Sequence, residues 1–219
     1  MIAWLNRLRA LARVKLFSSN SEIYFAKNVQ FSLRKGAGIE VHGKVTIGFP
    51  LPGTGLGYPS HDRTIISLDK NARLVFLGNA FIANGCDIFV GENGTLIFGG
   101  NNFIAHNAII FCKNRISFGK NSSASWHLTA IDDDGHYFFR ANGTQMRRLI
   151  KPLIIGDHVA IQANVTIPHG VTVGDGSIIG AVTVLRQDVP ANSLVYGKQE
   201  LKIKSNITYG FQFKSSDIP

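Results

Sequence analysis

An all-β fold, a parallel β-helix coiled from six-residue units, is predicted for this chain on three observations. The first is a period: Ile155, Ile161, Ile167, Val173, Ile179 and Leu185 follow one another at intervals of six. Such spacing suits neither a helix nor a simple strand alternation, but it fits short strands with corners at fixed intervals. The second is a companion register four residues further on, Val159, Val165, Val171 and Val189, broken at Ser177 and Thr183. The third is what lies between: Gly156-Asp157, Gly170, Gly174-Asp175-Gly176 and Gly180 supply corners, because glycine reaches positive φ and Asp or Asn tolerates it. Each coil of a solenoid buries its apolar residues only against the coils on either side. An ordinary sheet of buried strands does not explain intervals held in phase over this length.

Taken in order, residues 1–17 read as a basic amphipathic helix, with Trp4, Leu5, Leu8, Leu11 and Ala12 on one face and Arg7, Arg9 and Arg13 largely on the rest. Charges interrupt every apolar run there, which argues against a signal peptide. Two readings stand: a foot on an anionic membrane surface, or a cap over the end of the solenoid. Residues 18–190 form the expected β-helix domain. Its early coils, around Ile23, Val29, Ile39, Val41, Val45 and Ile47, are irregular, with corners at Gly36, Gly38, Gly43 and Gly48. Residues 49–64 hold three prolines and three glycines, the composition of an excursion and not of a strand. Repeats resume at Ile66, and Leu77, Ile82 and Ile88 lead to Phe98, Ile104, Ile110 and Ile116 in six-residue steps. A second excursion spans 133–150, and a basic segment and polar tail, 191–219, close the chain.

Composition narrows the partners. Hydrophobic residues make 45% of the 219 and charged ones 17%, enough apolar material for a continuous interior. Twenty-three Lys and Arg against 14 Asp and Glu leave +9, which favours anionic partners. No Lys/Arg-rich recognition helix, zinc-finger spacing or RNA-binding aromatic motif points to nucleic acid. Cys86 and Cys112 sit in apolar sequence without a CxxC motif and read as core thiols of a reducing compartment. No apolar run reaches the roughly twenty residues of a membrane-spanning helix.

Interruptions in a solenoid become loops on one face, where sites are placed. The densest ionisable group lies where the second one begins, Asp132-Asp133-Asp134-Gly135-His136. Imidazole titrates near neutrality, so His136 could take a proton from a hydroxyl as it attacks an electrophile, with a neighbouring carboxylate fixing the ring's tautomer. A solvated loop or an ion site would use the same residues.

The stretch Ser125-Trp126-His127-Leu128-Thr129-Ala130-Ile131-Asp132-Asp133-Asp134-Gly135-His136, followed by Lys151-Pro152-Leu153-Ile154-Ile155-Gly156-Asp157-His158-Val159, resembles the hexapeptide-repeat acyltransferases that acetylate sugars, in the branch of capsule and other polysaccharide synthesis. The resemblance covers residues 75–206, including Gln187-Asp188-Val189-Pro190 and Ile203-Lys204-Ser205-Asn206-Ile207. It implies a left-handed parallel β-helix and a homotrimer with acetyl-CoA in clefts between subunits; the expected place is the cytoplasm, either free or peripheral at the inner face of the membrane. The activity it implies is an O-acetyltransferase acting on a sugar or glycan hydroxyl. His136 matches the family's general base, Asp132 and Asp134 its supporting carboxylates, and direct attack on the thioester needs no enzyme nucleophile. Trp126 and Asp133 are assigned to the acceptor, though Trp126 equally suits subunit packing.

For the coenzyme the resemblance implies Gly180-Ala181 as the small-residue corner. Ala160-Ile161-Gln162 stands where Trp-Ile-Gly is frequent, and Gly197-Lys198-Gln199-Glu200-Leu201 keeps only the glycine of Gly-Asn-Pro-Ala-Lys. Arg186, Lys198 and Lys204 are the cations expected for its phosphates. His106, His127, His158 and His169 invite a metal reading, but the closely spaced pair of the related zinc carbonic anhydrases is missing, and no metal is assigned. N-acetylation of an amino sugar, or a non-catalytic glycan- or membrane-binding scaffold, are the alternatives.

Overall fold

In the computed structural model, residues 10–50, 63–133, 139–144 and 150–197 are described. The chain winds as a left-handed parallel β-helix with three faces. The first coil is β1 (Val14–Leu16), β2 (Glu22–Phe25) and β3 (Val29–Leu33), the second β4 (Gly38–Val41), β5 (Lys44–Phe49) and β6 (Thr64–Leu68). Then come β7 (Arg73–Phe76), β8 (Ala80–Ala83) and β9 (Asp87–Val90), followed by β10 (Thr95–Phe98), β11 (Asn102–Ile104) and β12 (Ile109–Cys112). The fifth coil is β13 (Arg115–Phe118), β14 (Ser123–Ala124) and β15 (Thr129–Ile131), the sixth β16 (Leu153–Ile155), β17 (Ala160–Ile161) and β18 (Thr166–Ile167). A seventh, β19 (Thr172–Val173) and β20 (Ile178–Ile179), is followed by β21 (Leu194–Val195). Every third strand pairs in parallel, giving faces of seven, eight and six strands.

The six-residue period holds only where each strand and corner is short. Ile155 pairs with Val173, 18 residues on, whereas Leu96 pairs with Ile116 at 20 and Leu74 with Leu96 at 22. The early coils are therefore as regular in space as the late ones, with four-residue strands in place of two-residue ones. That longer turn explains one misreading: Leu77 is 53% exposed, and Phe76 occupies the inward position instead. Phe76, Phe98 and Phe118 stack at 5.1 Å between successive rings to form one column of the core, continued by Val41 and Ile155.

Each corner has its own chemistry. At the first, between the seven- and eight-strand faces, coils approach so closely that only glycine fits: a Cβ on Gly119 would lie 2.4 Å from the Gly156 carbonyl carbon, and one on Gly174 2.4 Å from the Ala191 nitrogen. Left-handed corner positions fall mostly to Asn, as at Asn101, Asn107, Asn121 and Asn164, with His127 (φ 59°) and His158 (φ 56°) in the same role. His158 Nε2 lies 3.3 Å from the Asn121 carboxamide in this ladder. The two breaks in the valine register are also structural. Buried Ser177 donates to the Pro190 carbonyl and accepts from the Ser193 amide, and Thr183 accepts from the Gly197 amide.

Two boundaries shift. The expected helix over 1–17 gives way before its end: Ala10 and Leu11 are helical, but Val14–Leu16 is a strand in register with Ile39–Val41. Val14, Lys15 and Leu16 alternate like a strand, and β4 offers them an edge. At the other end the β-helix runs past 190, because Leu194–Val195 pairs with Ile178–Ile179. The excursions leave where the sequence breaks its period, after Phe49 and after Asp133. Cys86 and Cys112 are free and buried.

Candidate active site

Asp132 follows β15 and turns inward just before the second excursion begins in the sequence. Fully buried, its Oδ1 accepts the Lys113 amide at 2.6 Å, and its Oδ2 accepts those of Asn114 and Arg115 at 2.7 Å each. Charged acceptors of backbone N–H make short, strong bonds, so the carboxylate fastens the root of the excursion to the coil below. The Cys112 thiol lies 3.8 Å from Oδ2. Burial and that carboxylate push the thiol upward, and burial raises Cys86 to about 12. Asp133 is buried as well. Asp134 and His136 lie outside the described residues, as do Lys198 and Lys204.

The second corner, between the eight- and six-strand faces, carries a groove of about 450 Å³. Its origin is a change of side-chain size up one column. Asn84, His106, Trp126, Ala163 and Ala181 succeed each other coil by coil, each carbonyl down to Ala163 accepting the amide that follows the next corner residue. From Trp126 to Ala163 and Ala181 the column shrinks from indole to methyl, and the corner opens. Trp126, 38% exposed, is the wall below the opening. Ser125 and Gln162 line it from one row of the neighbouring face, and Phe103 and Ser123 from the next.

Gln162 spans the opening: its Oε1 accepts the Ala181 amide at 3.0 Å. Val182, the next residue, has φ 58°, a costly conformation for a β-branched side chain. At this level of the column the coil below has Asn164 and the one before it His127.

The groove thus gathers Trp126, Gln162 and Ala181 among the residues the sequence singles out. Ala160 is one step aside, paired with Ser123. Gly180 is buried, with Tyr196 against it. Arg186 is exposed beyond Leu185 and is not in the lining. Phe103, Ala105 and Ser123 were not anticipated. Ala105 precedes its neighbour Ser125 by 20 residues and Ser125 precedes Gln162 by 37, so only the coil register reveals them. Among the described residues no three His, Cys, Asp or Glu side chains gather as metal ligands.

Residues 152–187 match the family model of the bacterial transferase hexapeptide (six repeats), the stretch that builds coil six and most of coil seven. Fold and repeat together define a left-handed β-helix of hexapeptide repeats, and over residues 152–187 the chain is similar to the hexapeptide-repeat transferases. Galactoside O-acetyltransferase of Escherichia coli (strain K12) is 30% identical over 106 residues, 38% of this chain and 51% of that protein. 2,3,4,5-tetrahydropyridine-2,6-dicarboxylate N-acetyltransferase of Staphylococcus aureus (strain JH9) is 47% identical over 53 residues, 24% of this chain and 22% of that protein. The chain spans about half the length of the first and under a quarter of the second. The crystal structure of the polySia-specific acetyltransferase NeuO aligns over 94% of both chains with a TM-score of 0.48 and 20% identity.

Proposed function

We propose that the protein is an acetyltransferase that moves an acetyl group from acetyl-CoA to a hydroxyl of a surface polysaccharide or its precursor. The observation that carries this reading is the groove at the second corner, opened by Ala163 and Ala181 on the coils that match the transferase repeat. A slender acyl-pantetheine arm suits its dimensions. Phe103 and Ala105 give it an apolar side, and Ser123, Ser125 and Gln162 offer polar atoms for amide groups. Bound there, the thioester supplies an electrophilic carbonyl.

In this reading His136 withdraws the proton of the acceptor hydroxyl. The oxygen attacks the thioester carbonyl, the C–S bond breaks, and the sulfur leaves as thiol with a proton. Asp134 would hold the imidazole, while Asp132, its oxygens occupied by three backbone amides, acts as a positioning residue at the root of the loop. Trp126 could stack on the acceptor ring, and Asp133 is the acidic neighbour assigned to the same part. The protein would work as a homotrimer in the cytoplasm, where two free thiols are kept reduced.

His136→Ala tests the assignment, with acetyl-CoA binding followed by calorimetry in parallel. Transfer should fall by roughly a hundred- to ten-thousandfold, the usual worth of a general base, with binding retained. Full activity in the variant removes His136 from the mechanism, and absence of binding heat in the wild type turns the protein into a scaffold.

A further inference from the structure

The first coil carries charge out of proportion to its length. Among the described residues, 10–39 contain five Lys and Arg against a single acid, Glu22, which is four of the chain's nine net positive charges, and Glu40 of the next coil stands in register with Lys15. Glu22 lies 3.7 Å from Lys44 of the next coil. Lys15 on β1, Lys27 at the second corner, and Arg34 and Lys35 at the third are exposed. Among the described residues none of these four has an ion-pair partner. They are spread round the rim of one end of the prism, one group to a side.

Apolar side chains stand among them. Leu16 pairs with Val41 in the inward register, yet it is 54% exposed; Phe17 after it is 53% exposed, and Tyr24 on the neighbouring face, its hydroxyl donating to Glu22, is 54% exposed. Phe17 is held by stacking on His42 at 4.3 Å between centroids. A row of cations alone would suit any polyanion. Cations interleaved with exposed leucine and aromatic residues suit an interface with both an anionic and an apolar layer.

We propose that this end of the solenoid docks on a bilayer containing anionic lipid, with Lys15, Lys27, Arg34 and Lys35 at the headgroups and Leu16, Phe17 and Tyr24 entering the interface. The inference is independent of the acetyl-transfer reading, because it rests on the opposite end of the coil stack from the groove.

The test is co-sedimentation of the full chain with phosphatidylglycerol-containing vesicles and with pure phosphatidylcholine vesicles. Binding should require the anionic lipid and weaken as salt rises. Lys15→Gln with Lys27→Gln should lower the partition coefficient roughly thirtyfold, at about 1 kcal/mol per cation near such a surface. Leu16→Ser with Phe17→Ser should lower it further at high salt, where only insertion persists. Far-UV circular dichroism of both variants should match the wild type, as expected for substitutions at exposed positions. Equal binding to both vesicle types overturns the proposal. So does unchanged vesicle binding in the lysine variant, or a Leu16/Phe17 variant that alters only oligomeric state, which would mark the face as a contact between copies. Binding to a soluble anionic polysaccharide without binding to vesicles overturns it in favour of a glycan.

Discussion

Replacing Asp132 separates an anchoring carboxylate from one that serves chemistry. Its two oxygens accept three backbone amides at 2.6, 2.7 and 2.7 Å. Bonds to a charged group contribute about 1.5–3 kcal/mol each, and groups partly open to water fall at the low end. Asp132→Ala removes all three, so the expected loss is about 4.5 kcal/mol. Asp132→Asn keeps the shape but turns one donor against an amide, and about 2 kcal/mol follows. For a chain of this size each kilocalorie lowers the unfolding midpoint by about 2–4 °C, giving roughly 9–18 °C for Ala and roughly 4–8 °C for Asn. Thermal melting by circular dichroism reads the midpoint. Hydrogen exchange at Lys113, Asn114 and Arg115 reads the local effect, which matters because solenoids open coil by coil. An Asn variant with an unshifted midpoint and wild-type protection at those amides would refute the anchor.

Gly119→Ala should lower the midpoint by several degrees, through about 1–3 kcal/mol of overpacking, since its Cβ would meet backbone of Gly156 and Asp157 at 2.4 and 2.5 Å; a neutral result in the same melt would show that the coils can part. The Cys86 thiol, raised from 9.0 to about 12 by burial, carries about a thousandfold less thiolate than an exposed one at pH 8, so maleimide should label it only after denaturation, and rapid labelling of folded protein contradicts its burial. Because the folded-state value is the higher one, this thiol's contribution to stability is intact below pH 9 and declines as pH rises toward 12, which urea midpoints across that range would register. Gln162→Ala frees the Ala181 amide inside the groove; the expected outcome is a several-fold change in acetyl-CoA affinity by calorimetry with little change in melting, and an unaltered affinity would place the donor elsewhere.

The legible part of the fold is the part whose coils are 18 residues long. There strand, corner and period share one number, and Ile155 to Leu185 announce it. Upstream, 20- and 22-residue coils have the same stacking with a different count, so Leu77 was placed in a core that belongs to Phe76. Ser177 and Thr183 look like defects in a valine series because sequence does not display the unpaired carbonyl and amides of the closing turn that they satisfy. Of the groove's lining, Trp126, Gln162 and Ala181 lie in stretches that the family resemblance singles out, Gln162 at a position where this sequence departs from the usual motif. Phe103 and Ala105 do not, because their place in the groove depends on coil register, 20 residues on to Ser123 and Ser125 and a further 37 across the excursion. Val14–Leu16 reads as the end of a helix until the free edge of β4 is known.

The stacking also works as a measuring rod. Neighbouring strands of the eight-strand face are spaced by about 4.8 Å, and β14, whose Ser123 borders the groove, is the fourth step from β2. The cavity therefore stands roughly 20 Å from the basic end. If that end rests on a bilayer with the axis upright and the groove hosts the proposed transfer to a glycan, short saccharides fixed to lipid fall below its reach, and only chains grown past that height would be modified.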